Sequence, residues 1–424
     1  MGCGGHAAAR AEGARRRHAH ARMPRVDDAG RQRWASYKTA IAREPLPCAL
    51  VDLDAFDANA RALASALEGS GKTLRVATKS LRCPDLVARA RERAGRVTRG
   101  LMTYSAAETA FWAERGERDL LLAYPTVQAA DTALLARANA AGATAAVAVD
   151  AVEHLEALAG AAREQRTAVP VVLDVDVSWR PLGTPLHVGV RRSPLREAAD
   201  VAALARRAAA TEGLRFHGLM AYEAQIAGVP DASPAVRAMK AASRADVARR
   251  RAALLEALAA AGLRPALFNG GGTGSLASCA REAALTEATA GSGFLDSHLF
   301  DGYRGLGLHP AAFFALQVVR RAAARILTCH GGGFVASGAA GRDRLPVPVL
   351  PPGLRLLPLE GAGEVQTPVE LAPGIDLAIG DPVFFRHAKA GELAEHVTEY
   401  LLVRGDRIEG RAPTYRGLGR CFLG

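Results

Sequence analysis

LRVAT at residues 74–78 is a short run of apolar and β-branched side chains of the kind a buried strand uses, and it is the first of eight. GLMTY (100–104), LLLAY (120–124), AAVAV (145–149), PVVLDVDV (170–177), FHGLMAY (216–222), ALFNG (266–270) and LTEATAG (285–291) repeat it. Between them lie longer Ala/Leu/Arg runs at 84–94, 106–115, 129–141, 151–164, 195–210 and 234–262, in which apolar residues recur with helical period. Parallel strands need a crossover between them, usually a helix. Eight such units over residues 74–293 predict an α/β fold, a (β/α)8 TIM-type barrel, whose usual size is about 250 residues. A doubly wound open sheet fits the same periodicity and differs in whether the first and last strands meet.

After residue 310 the pattern changes. ALQVVRRAAARILTC, LPVPVLPPGLRLLPL, TPVELAPGIDLAIGDPVFF and EYLLVRGDRIEG are strand-like runs broken by Pro, Gly and Asp, which predicts a separate, mainly antiparallel β domain. PCALVDLD (47–54) reads as a strand that pairs with that domain. The expected organisation is a basic Ala/Arg-rich tail and lead-in at 1–44, a barrel domain at 45–305 and a C-terminal β domain at 306–424.

The chain has 424 residues, 49% of them apolar, and a formal net charge of +11, which excludes a disordered chain. A positive balance raises nucleic-acid binding, because Lys and Arg release counterions from phosphates. Residues 1–25, however, hold six arginines against one acid, Glu12, and translation from Met23 would leave most of that charge out. The tail lacks the apolar core of a secretory signal and the serines of a transit peptide. No stretch approaches the roughly 18–20 continuous apolar residues of a membrane helix. Six scattered cysteines without a C-x-x-C pair argue against a zinc ribbon or a disulfide scaffold and for the reducing cytoplasm. Neither nucleic acid nor membrane is therefore an expected partner. Only five of the 54 basic residues are lysine. Where codon bias turns surface lysine into arginine, a lysine that must lose its proton cannot follow, since guanidinium has no accessible neutral form.

Active sites of such barrels lie at the C-terminal strand ends. Lys79, just past the first strand in RVATKSLRC, is the one lysine at that mouth. It is either a Schiff-base lysine or a solvated strand-end residue. NGGGTGS (269–275) follows the seventh strand and GSG (291–293) the eighth. Successive glycines let backbone amides approach an anion, and barrels recurrently bind phosphate there. EGSGKT (68–73) is no phosphate loop of the Walker type, because its first glycine is displaced by Ala66 and it precedes a strand. Tyr222 either donates to the anion or merely packs, and Arg180 either meets an anionic group or lies on the surface.

A strand-end lysine and a GGGTG cup on an eight-strand pattern followed by a β domain resemble the fold-type III pyridoxal-phosphate enzymes, whose barrel is of the alanine racemase N-terminal type. The chain is similar within them to the D-threonine aldolase and D-serine dehydratase group, in particular the bacterial amino acid deaminase/aldolase proteins. The likeness rests on LVDLDAFDANA, RVATKSLRC, GLMTYSAAE, VVLDVDVSWRPLG, GLMAYEAQIAG, NGGGTGS, CHGGGFVASG, RHAKAGE and TYRG, between Pro45 and Gly424.

The resemblance implies that Lys79 holds pyridoxal 5'-phosphate. It implies that Gly270, Gly271, Gly272, Thr273, Gly274, Gly291 and Ser292, with Tyr222, bind the phosphate. An arginine after the fifth strand would face the phenolic oxygen; the spacing departs here, making Arg180 the choice, with Arg191 and Arg192 as alternatives. The group carries a C-terminal His-x-Asp or His-x-Cys pair for a divalent ion. This chain reads His387-Ala388-Lys389, so lysine replaces the second ligand and His387 is either a metal ligand or an acid-base residue. The implied activity is that of a lyase on D-configured β-hydroxy amino acids, by retro-aldol cleavage or by deamination, in a cytoplasmic homodimer. The alternatives are an amino-acid racemase, which needs a base on each face of Cα, and a non-catalytic cofactor carrier, for which the β domain would be superfluous.

Overall fold

The computed structural model describes residues 27–181 and 186–423. The basic tail and the alternative start at Met23 lie outside the described residues. The chain enters through a helix, Asp28–Ala40, whose first turn is capped by the Asp27 carboxylate accepting from Gly30 N. The helix is fixed by Tyr37, whose ring packs on Phe313 and Phe384 at 5.5 and 5.6 Å.

Strand β1 (Cys48–Asp52) follows, and the eight strands read from the sequence come next as β2 (Thr73–Ala77), β3 (Thr98–Thr103), β4 (Asp119–Leu122), β5 (Thr144–Val149), β6 (Val169–Asp174), β7 (Leu214–Met220), β8 (Leu267–Gly270) and β9 (Glu287–Ala290). All pair in parallel with their neighbours, and β2 pairs with β9 in register Leu74↔Ala288, so the sheet is a closed barrel rather than an open one. Helices begin where the sequence offers a cap: Ser105 accepts from Glu108 N, and Ser233 accepts from Val236 N ahead of Pro234. Side chains alternate across the barrel wall. Leu121, Ala146, Ala148, Val172, Met220 and Leu267 form one buried cluster, while Leu120 and Leu122 belong to the cluster that includes the surrounding helices. Lower in the barrel Arg75 is buried in a two-pronged pair with Glu287 (2.6 and 2.9 Å), which also accepts from Asn269 Nδ2 at 2.6 Å.

The remaining strands, β10 (Ala312–Ala323), β11 (Ile326–His330), β12 (Val347–Leu350), β13 (Leu354–Leu356), β14 (Gln366–Leu371), β15 (Pro382–Arg386), β16 (Glu399–Arg404) and β17 (Arg407–Pro413), join β1 in a nine-stranded sheet. It is antiparallel except for β1 beside β16. Strand β1 therefore pairs where the sequence placed it, with the later domain. The C-terminal segment returns to the barrel: Tyr415 Oη donates to Glu108 (2.7 Å) and accepts from Trp112 Nε1 (2.9 Å). No helix among the described residues is long and apolar enough to cross a membrane.

Candidate active site

The C-terminal ends of the barrel strands open into a cavity of about 520 Å³ that the β domain partly roofs. Strand β2 ends at Ala77, and a single 3-10 turn, Thr78–Ser80, carries Lys79 to the mouth. Thr78 Oγ1 donates to Met102 O at 2.9 Å, and Arg82 Nε donates to the Lys79 carbonyl at 3.0 Å, so the turn is pinned on both sides. From the other domain Gly391, at φ +85°, lies so close that a β-carbon there would stand 1.9 Å from the Lys79 carbonyl oxygen. Lys79 Nζ donates to Tyr124 Oη at 3.0 Å. Burial alone would raise the Tyr124 phenol, but the charge and hydrogen bond of Lys79, helped by Arg192, hold it below its ordinary value.

The same cavity is lined by Gly271, Gly272, Thr273, Gly291 and Ser292, with Tyr222 against Gly272; Ser292 sits at the strand end next to that of Lys79, its Oγ 3.4 Å from Ser80 Oγ. Gly271 needs its left-handed φ of +84° to turn the chain out of β8. A β-carbon at Gly272 would stand 2.9 Å from Ala227 Cβ, and one at Gly291 would stand 2.5 Å from Ser80 Oγ, so only bare backbone fits these walls. Gly293 N donates to Thr273 Oγ1 at 3.0 Å, which ties the two glycine segments together. Gly270 and Gly274 do not line the cavity: a side chain at the first would meet Arg251, and at the second Tyr303. Burial, then Glu223, pushes the Tyr222 phenol up to about 12, so it stays protonated and able to donate.

Sequence reasoning missed what lies beneath the loop. Glu223, fully buried, pairs with Arg251, accepts from Ser275 Oγ at 2.6 Å and takes the Gly271 amide at 3.1 Å. Arg251 has a second partner in Glu282 (2.7 Å) and donates to Ala221 O (2.6 Å). Burial works to raise the Glu223 carboxyl, but Arg251 and the hydrogen bonds from Ser275 and the backbone amides together outweigh it and keep the group below the ordinary carboxylate range. Its signal was visible: an acid directly after an apolar strand, in AYEAQ.

Arg180 is not brought to the cavity. Its guanidinium turns to Asp176 (2.6 Å) and Ser178 (3.3 Å), whereas Arg192 lines the cavity and its guanidinium carbon stands 5.7 Å from the Tyr222 ring centre. Asp174, at the end of β6, lines it too; burial and then Asp150 push its carboxyl up to about 7. From the β domain come Arg344 and Lys389. His387 does not reach the cavity: its ring is 3% exposed, and neither ring nitrogen has a hydrogen-bond partner. Among the described residues no cluster of three or more His, Cys, Asp or Glu could hold a metal ion.

Comparison with known proteins follows the same lines. The chain is 29% identical over 229 residues to the 3-hydroxy-D-aspartate aldolase of Paracoccus denitrificans (strain Pd 1222), covering 54% of each chain. It is 28% identical over 257 residues to the D-threonine aldolase of an Arthrobacter species, covering 60% of this chain and 62% of that one. It thus matches little more than half the length of these relatives. The D-threonine aldolase structure from Filomicrobium marinum superposes with a TM-score of 0.76 at 22% identity, covering 88% of this chain and 95% of that one. The D-threo-3-hydroxyaspartate dehydratase from Delftia sp. HT23 gives 0.69 at 20% identity, over 88% and 98%. These two structures show a shared fold. Residues 51–294, which hold the whole barrel from β2 to β9, match the alanine racemase N-terminal domain, and the chain belongs to that family.

Proposed function

We propose that the protein is a pyridoxal-phosphate-dependent lyase acting on D-configured β-hydroxy amino acids. The observation that carries this is a lysine amine, a cup of bare glycine backbone, a tyrosine hydroxyl and an arginine gathered in the lining of one cavity at the C-terminal strand ends. A cradle that a single β-carbon would fill suits a phosphate held by backbone. Gly271, Gly272, Thr273, Gly291, Ser292 and Tyr222 would hold that phosphate. Arg192, rather than Arg180, would face the phenolic oxygen, and Lys79 would bear the carbonyl carbon. The bound cofactor supplies a ring that accepts the negative charge developing at Cα.

The chain's own residues do the rest. Lys79, as a free amine at the cavity mouth, would move a proton at Cα or Cβ. Tyr124, in hydrogen-bond contact with it and of lowered pKa, orients the amine and can relay that proton. Asp174, with its raised pKa, offers a carboxyl in the lining of the same cavity. Asp343, Arg344 and Lys389 of the β domain roof the cavity on the substrate side. The aldolase names of the relatives support the substrate class, and D-serine dehydratase-like deamination is the other branch of the same chemistry. The reading extends to a cytoplasmic homodimer, in keeping with five unpaired cysteines among the described residues.

Purified protein should show the visible absorbance band of bound cofactor, and Lys79→Ala should lose it. A panel of D- and L-β-hydroxy amino acids, scored for aldehyde and for ammonia, should give product from the D-series only. A band and turnover that survive in Lys79→Ala would refute the assignment, and Cα deuterium exchange without substrate loss would convert it to a racemase.

A further inference from the structure

The relatives' group, as the sequence resemblance implies, places a divalent ion beside the substrate hydroxyl on a His-x-Asp or His-x-Cys pair. The residues at that place in this chain do not fit a metal. His387 follows β15 and is walled off from the cavity, with Arg386 next to it and His298 nearby. Both ring nitrogens lack partners, so it brings no supporting ligand with it. Two residues on, where a second ligand would stand, is an ammonium.

Lys389 lines the cavity and is held in place. Its Nζ donates to Ser337 Oγ at 3.0 Å, and Ser337 donates its own hydroxyl proton to Glu392 at 2.6 Å and its amide to the other Glu392 oxygen at 2.8 Å. Glu392 itself stands 3.7 Å from the ammonium. The acid that could have served as a replacement ligand is therefore engaged with Ser337 and Lys389. An ammonium has three donors; the serine takes one and leaves others for a ligand in the cavity.

We infer, on the basis of the lyase reading above, that Lys389 takes the place of the divalent ion: its ammonium is the cation that binds and orients an oxygen on the substrate's Cβ side, and the protein works without a metal. An ammonium stabilises a developing oxyanion by charge and hydrogen bond as a metal does by charge. Unlike a metal it is built into the chain and cannot be removed by chelation. The neighbouring Arg344 and Asp343 line the same wall and pair with each other at 3.5 Å, so the charge of Lys389 is the one they leave for the cavity.

The test uses the cofactor-loaded protein. Elemental analysis after dialysis should find far less than one divalent ion per chain, and calorimetric titration with Mn²⁺ should show no stoichiometric binding. Turnover should change less than about twofold with a chelator or with added Mn²⁺, Mg²⁺ or Co²⁺. Lys389→Ala should lose about a hundredfold or more in kcat/KM while keeping the cofactor band, and Lys389→Arg should recover part of that loss; about 2.7 kcal/mol corresponds to a hundredfold. A tightly bound ion, stimulation above about tenfold by a divalent ion, or full activity in Lys389→Ala would overturn the inference. Absence of the cofactor band from the wild-type protein would instead remove the lyase reading on which it rests.

Discussion

Glu223→Gln takes one negative charge from beneath the glycine loop without changing the side chain's shape. The native carboxylate serves Arg251, Ser275 Oγ and Gly271 N together, and the Gln carbonyl can keep only part of this. Its amide group would face donors. Removing one partner of a buried ion pair costs roughly 3–5 kcal/mol. Arg251 retains Glu282 at 2.7 Å and the Ala221 carbonyl at 2.6 Å, so the low end, about 3 kcal/mol, applies. At about 2.1 cal/mol/K of unfolding entropy per residue, a chain of this length shifts by about 1.1 °C per kcal/mol, so thermal unfolding should come about 3–4 °C earlier. Glu282→Gln, which acts on the same guanidinium from a partly exposed position, should fall less far. The carboxyl of Glu223 is held below its ordinary pKa, so its stabilisation is complete above about pH 4.5 and is lost as the pH drops through the lower folded value. The gap between wild type and Glu223→Gln should therefore close in acid. Because the same carboxylate fixes the Gly271 amide, cofactor affinity should weaken in parallel. Differential scanning calorimetry from neutral to acid pH, with a cofactor titration at neutral pH, makes the measurement. A Glu223→Gln protein melting within about 1 °C of wild type at neutral pH would refute the reasoning.

Three further outcomes are expected. Arg192→Ala should weaken cofactor binding about tenfold or more, whereas Arg180→Ala, which removes a half-exposed contact to Asp176, should leave it within about twofold; equal effects would return the assignment to the sequence-based choice. Gly391→Ala should place a methyl against the Lys79 carbonyl on a backbone that disfavours it, and so distort the cofactor band and cut turnover while circular dichroism stays native. His387 is held at about 3 by burial, then by Arg386 and His298, so its own contribution to stability should fall by about 1.4 kcal/mol per pH unit between its ordinary 6.5 and about 3, and His387→Leu should reduce the slope of stability with pH by that amount in denaturant titrations.

The barrel was legible because its signal is local. A strand buried on both faces writes an apolar run, and a helix writes a stripe, so 84–94 as read is Pro84–Ala94 as folded. Closure was carried by count and size alone, and the pairing of Leu74 with Ala288 supplies it. Lys79 was legible because lysine is rare here and the strand end marks its height. Arg192 was not, because the segment after β6 has no period. There Trp179 bridges back to Val188, and Val190, Arg192 and Ser193 reach the mouth while Arg180 is left outside. Glu223 and Arg251 lie 28 residues apart, and nothing in an arginine-rich helix marks the one arginine that is wholly buried. His387 was misplaced for a related reason. A motif fixes which residues neighbour each other along the chain, and the turn after β15 decides which of His387 and Lys389 faces in.

The contact between Gly391 and the Lys79 carbonyl has a bearing on how such chains could be recombined. A domain graft that joined this barrel to a foreign β domain would succeed or fail at a single atom of side chain. Any donor lacking glycine at that point would push aside the residue on which the chemistry is proposed to depend. The roof and the floor of this pocket are thus coupled parts, and selection acting on one is felt by the other.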